Sequence, residues 1–164
     1  RHANKRIKEC QGRSCKGKVP VFGMIERNGK VVARVVPSTT AKDLMPRIMK
    51  HVNSFSTVYT DEWGAYNGLK QTYDHHIVRH NLKEYVNGKA HTNNIENFWG
   101  NLKRAIIGVY RVVSPQHLQF YVNEFVFRRN TCKFVPGDRF LHLMVNVQGY
   151  RITYKELIEY ARCS

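Results

Sequence analysis

Val58-Tyr59-Thr60-Asp61-Glu62-Trp63 is a short apolar run that ends on a carboxylate. It reads as a buried strand over residues 56–60, with Asp61 at its carboxyl end. Downstream, Glu96 lies in His91-Thr92-Asn93-Asn94-Ile95-Glu96-Asn97-Phe98-Trp99, at the head of a stretch with helical apolar spacing. Lys103 follows two helical turns later, on the face that carries Glu96. An acid at a strand end, an acid on a later helix and a base along that helix can hold divalent cations against a nucleic-acid phosphate.

Such chemistry needs hard oxygen ligands gathered in one place. Two ions about 3.5–4 Å apart stabilise the entering and leaving oxygens of a phosphodiester. Carboxylates that close repel one another unless a cation lies between them. The same residues also admit plainer readings. Asp61 suits a turn carboxylate after a strand, and Lys103 a solvated helix position. Asn93-x-x-Glu96 has capping-box spacing, which needs no metal. Glu62 would point to the other side of a continuing strand. His91 and Asn94 stand close enough to Glu96 to orient its carboxylate.

The balance of charge narrows the partners. Among 164 residues, 27 Lys and Arg face 12 Asp and Glu, for a net +15. A single domain this basic meets polyanions, nucleic acid first among them. An anionic membrane surface is the weaker alternative, since no basic amphipathic helix stands apart from the folded pattern. No apolar run approaches the roughly 20 residues that span a bilayer, and no signal segment follows the basic N-terminus. An intracellular protein, and from the first residue Arg1 a fragment or processed chain, are the expectations. Cys10, Cys15, Cys132 and Cys163 lack zinc-site spacing and read as free thiols. His75, His76, His80 and His91 likewise fit no zinc pattern.

Residues 1–18 read as a basic loop or arm. Asn28-Gly29 between two β-branched runs, 19–26 and 30–36, predicts a hairpin. Residues Ser38 to Thr40 can cap a helix from Ala41. A short helix near 65–71, a strand near 76–79 and a polar loop over 81–92 follow. The helix from Asn94 to about Val109 should place Ile95, Phe98, Trp99, Leu102, Ile106 and Val109 on one face. Ser114-Pro115 opens another, striped by Leu118, Tyr121, Val122, Phe125 and Val126. A helix near 139–144 precedes Thr153-x-x-Glu156, a capping box for a terminal helix. Trp63 and Trp99 suit core packing better than base stacking. The sum is an α/β layered domain.

Several of these blocks, in order, resemble one known family. Lys18-Val19-Pro20-Val21-Phe22-Gly23-Met24-Ile25-Glu26-Arg27, Tyr59-Thr60-Asp61-Glu62-Trp63, residues 91–104, Ser114-Pro115-Gln116-His117-Leu118, residues 124–130 and Arg151-Ile152-Thr153-Tyr154-Lys155-Glu156-Leu157 are similar to the ISXO-type insertion-sequence transposases. The resemblance spans roughly residues 16–158. It implies the DDE transposase superfamily, with an RNase H-like mixed sheet flanked by helices: a catalytic domain over 19–135 and a C-terminal helical extension of it over 136–164. By motif, Asp61 would be the second acid, Glu96 the third and Lys103 the trailing lysine. Asn94 is a weaker competitor for the third place, and Arg111 stands where relatives often carry His. Asp61 and Glu96 would ligand two Mg²⁺ or Mn²⁺ ions. Lys103, Arg104, Arg111, Arg128 and Arg129 would contact DNA, both terminal inverted repeats and target. Water would cut the element's end, and the freed 3′-hydroxyl would then attack target DNA. A homo-oligomer on paired ends is expected.

One departure is marked. The family's first Asp lies on a strand upstream of a basic loop like 1–18, and no residue here takes its place. The first, central strand would then be missing and the fragment inactive as it stands. Loss of that strand would leave two strand edges unpaired. The alternative is a non-catalytic, basic DNA-binding remnant or module.

Overall fold

The computed structural model describes residues 18–78 and 93–163. Strands β1 (Val21–Ile25) and β2 (Val31–Val35) pair antiparallel, Val21 opposite Val35 and Ile25 opposite Val31. The turn between them is the expected one. Asn28 takes a left-handed φ of 60°, which Asn tolerates better than most residues. The Glu26 amide donates to Lys30 O and the Gly29 amide to Glu26 O, closing the loop. β3 (Thr57–Thr60) and β4 (Asp74–Ile77) form a separate parallel pair, joined by a crossover through a 3₁₀ segment, Gly64–Gln71. The fold is therefore mixed α/β, with two small sheets among the described residues.

β1 explains how the layers stack. Its side chains alternate in direction, and both directions are apolar. Val21 and Ile25 join a cluster with Val31 and Ala33 of β2, Phe98 and Leu102 of helix α2 (Asn93–Ala105) and Val122 of helix α3 (Leu118–Asn130). Phe22 and Met24 face the opposite way. They pack on Ile48 of helix α1 (Ala41–His51), on Leu69 and on Tyr73, beside Val58 of β3. Helices thus cover both faces of β1. Gly23 lets α2 close down on it, because a Cβ there would lie 2.5 Å from the Trp99 ring. A strand apolar on both faces is the pattern of a covered, interior strand. Yet β1 is paired along one edge only among the described residues.

The outer edge of β2 is closed differently. Asn130 accepts from the Val31 amide at 2.7 Å and donates to Val31 O at 2.9 Å, while Gln119 accepts from the Val35 amide at 2.7 Å. Two side-chain amides of α3 stand in for a neighbouring strand.

Two helices depart from the expected pattern. α2 ends at Ala105 and continues as a π-turn over Ile106–Tyr110. The wider turn rotates Val109 out to 74% exposure instead of into the core face. Tyr110 turns inward in its place, donating to Glu124 at 2.6 Å and meeting Tyr121 edge to face. The segment after Ser114 begins as a 3₁₀ turn, Pro115–His117, before α3 proper. Helix α4 (Pro136–Val147) is longer than expected, and α5 (Tyr154–Cys163) opens on the predicted capping box. No helix among the described residues is long and apolar enough to cross a membrane.

Candidate metal and nucleic-acid site

β3 delivers Asp61 where the sequence places it, on the first residue past the strand, exposed to solvent. Its Oδ1 accepts the Trp63 amide at 3.2 Å, so the carboxylate sits on a tight turn. Thr60 beside it donates to Asp61 O and meets His75 Nε2 of β4 at 2.8 Å. The His75 pKa is lowered by burial, then by the Lys70 and His76 charges. Tyr66 in the adjoining 3₁₀ segment has its hydroxyl pushed up to about 12, by burial first and by the Asp61 charge second. Trp63 is not core: its ring is 53% exposed, with the indole N–H donating to Thr39 O at 2.9 Å. A polar anchor and no apolar pocket keep it at the surface. Trp99, by contrast, packs against the core.

Glu96 is exposed in the first turn of α2, where a carboxylate is favoured by the helix dipole. Asn93 is already helical, so it is not the non-helical cap residue that a capping box with Glu96 requires. Lys103 is exposed on the same flank, two turns on. Asn94 is half-buried, while His91 lies outside the described residues. No group of three or more His, Cys, Asp or Glu able to hold a metal occurs among the described residues. Asp61 and Glu96 each offer hard oxygens of the kind Mg²⁺ takes.

The arginines part company. Taking the helix at 3.6 residues per turn, Asn97, Asn101 and Arg104 point roughly 120° away from Glu96 and Lys103. They line a cleft of about 480 Å³ with Asn94, Phe98 and, from α3, Phe125, Arg128 and Arg129. Arg104 thus leaves the Lys103 flank and joins the two arginines of α3. Arg128 also pairs with Glu124 at 2.5 Å, and Arg129 reaches the Cys132 sulfur at 3.5 Å. Arg111, exposed with a φ of 58° just past the π-turn, does not line the cleft. Sequence reasoning misses the asparagines of α2 as a set; their spacing of three and four residues is the available signal.

Comparison with known proteins adds the lineage. Residues 1–130 match the model of the ISXO2-like transposase domain. A Haemophilus influenzae protein described as an uncharacterized transposase-like protein is 29% identical over 101 residues, covering 62% of this chain and 81% of that one. No solved structure matches the chain.

Proposed function

The chain belongs to the ISXO2-like transposase domain family, and from that premise we propose that it is the catalytic domain of a DDE transposase acting on the DNA of an insertion sequence. The observation that carries this reading is the placement of the acids. Asp61 stands exposed at the carboxyl end of a parallel strand, where α/β sheets bind ligands, and Glu96 stands exposed in the first turn of α2 with Lys103 on its flank. Asp61 and Glu96 would hold divalent cations, and Lys103 a phosphate next to the cut. When bound, the ions polarise the phosphodiester and lower the pKa of the attacking water. Asp61 and Glu96 fix their position, while Lys103 restrains the phosphate against the negative charge that develops on it.

The strands support an RNase H-like arrangement. β1 and β3 share one apolar cluster, and Arg27 lies over the Tyr59 ring, yet the two strands are not hydrogen-bonded to each other. A strand seated between them would complete one sheet and could bring the third carboxylate. The enzyme would work as a homo-oligomer on paired inverted repeats.

Titration calorimetry with Mn²⁺ in the presence of duplex DNA tests the reading. Binding should be measurable in the native chain, abolished in Asp61→Ala and weakened in Glu96→Ala. Equal Mn²⁺ affinity in all three proteins would remove the metal role. A second reading, a non-catalytic DNA-binding module, draws on there being no group of three or more His, Cys, Asp or Glu able to hold a metal among the described residues. It predicts DNA affinity that is indifferent to Mn²⁺.

A further inference from the structure

The cleft between α2 and α3 is unlike the Asp61 and Glu96 region in its chemistry. Asn101 Oδ1 accepts from Arg104 Nη2 at 2.5 Å, and Asn101 Nδ2 donates to Asn97 Oδ1 at 3.1 Å. This relay fixes the direction of both amides. Each of these two oxygens already accepts a bond inside the chain, and the N–H donors that remain are those of Asn97 Nδ2, the second of Asn101 Nδ2 and the others on Arg104. Arg128 and Arg129 add guanidinium donors from the facing helix, and no acid lines the cleft. Glu124, which meets the lining residue Arg128, is engaged by Arg128 and Tyr110. A concave surface with three guanidinium groups, amide N–H donors and no acid on its lining suits an anion that accepts many hydrogen bonds, as a phosphodiester does.

We propose that this cleft is a second DNA-backbone site, in which Arg104, Arg129 and the Asn97 and Asn101 relay hold duplex phosphates on a flank of α2 turned roughly 120° from Glu96 and Lys103. One helix then touches two separate stretches of DNA: one at the acids, the other through the cleft. The inference rests on the chain being a DNA-acting protein, and it adds where a second segment lies. Arg128 is the weaker member, since its ion pair with Glu124 already uses part of its charge.

Salt-dependent binding of a fluorescent, non-specific duplex by the 164-residue chain tests this. Arg104→Gln, at an exposed position, should lower the slope of log affinity against log salt by about 0.9, the value for one phosphate no longer neutralised. Asn101→Asp, also exposed, places a carboxylate in the cleft and should weaken binding further while circular dichroism stays unchanged. The double variant Arg104→Gln/Asn101→Asp should retain the response of DNA binding to Lys103→Gln, because that residue lies on the other flank. A native slope in both single variants, with the native chain binding DNA, overturns the cleft site alone. If the native chain shows no salt-dependent DNA binding, both the cleft and the DNA-acting reading fall.

Discussion

α3 and α4 follow one another in the chain and are nearly equal in length, 13 and 12 residues, yet they meet opposite fates. α3 buries Val122 completely and seats Leu118, Phe125 and Val126 against β2 and α2. α4 is the more apolar by composition, but Phe140, Leu141 and Val145 stand 61–71% exposed. Its ties to the body are few and specific. Arg139 donates twice to Thr131 O, and His142 stacks on Phe127. Apolar content alone therefore does not decide what is core. α3 is core because a sheet face and the edge of β2 lie within its reach, whereas α4 begins where the body of the domain ends.

The sharpest way to break this contrast is to truncate one side chain on each side of it. Phe98, 3% exposed between β2 and α3, should cost about 3–5 kcal/mol on replacement by Ala, through lost transfer free energy and the cavity left behind. Leu141→Ala on α4 should stay within about 0.5 kcal/mol, as surface changes do. Urea denaturation of the two variants measures both. Comparable losses would mean that α4 is buried against something in solution and that the contrast is false.

A smaller effect tests the way α3 is fastened. Asn130 is bonded to both polar groups of Val31, so Asn130→Ala leaves a half-buried N–H and C=O without a partner. The expected loss is about 1–3 kcal/mol, measured by the same denaturation. It should come with faster amide exchange at Val31 and with less soluble protein, because an uncovered strand edge invites pairing with another chain. Unchanged exchange at Val31 would show that the helix covers that edge without needing the amide.

These contacts mark where sequence reading ends. The hairpin turn, Asp61 at its strand end, the buried faces of α2 and α3 and the terminal capping box are all legible, since each rests on neighbours close in the chain. The π-turn at Ile106–Tyr110 is not, because a 3.6-residue period projects Val109 inward and carries no sign of one wider turn. Asn130 and Gln119 look like ordinary helix polar residues until β2 is placed beside them. Proximity in sequence puts Arg104 on the strip of Lys103, although adjacent helix positions diverge by roughly 100°. Ring size makes Trp63 look like core, and a single hydrogen bond to Thr39 holds it at the surface instead. What a linear reading lacks is long-range geometry, and the cleft between α2 and α3 is made of nothing else.

The smallest expected effect belongs to the C-terminal arm, where local bonds add to the contact of α5 with the 3₁₀ turn at Pro115–His117. Thr153 and Glu156 reciprocate at the start of α5: the Thr153 amide and hydroxyl donate to Glu156 Oε2 at 2.6 and 2.8 Å, and the Glu156 amide donates back to Thr153 Oγ1 at 3.3 Å. The Thr153 amide, then its hydroxyl, hold the Glu156 carboxyl below its ordinary value near 4.5. A carboxylate with a depressed folded pKa lends stability above its unfolded pKa and loses it as pH falls through the folded one. The first turn of α5 should therefore loosen on acidification below about pH 4.5, seen as faster amide exchange at Glu156 and Leu157. Phe98 and its neighbours in the core, which contain no titrating group, should not respond over that range. Glu156→Gln, which removes the titrating carboxyl, should abolish the pH response of α5 while leaving exchange in α3 untouched. If α5 in that variant still loosens with acid as the native chain does, the arm is not held by its cap, and its order must come from a contact elsewhere.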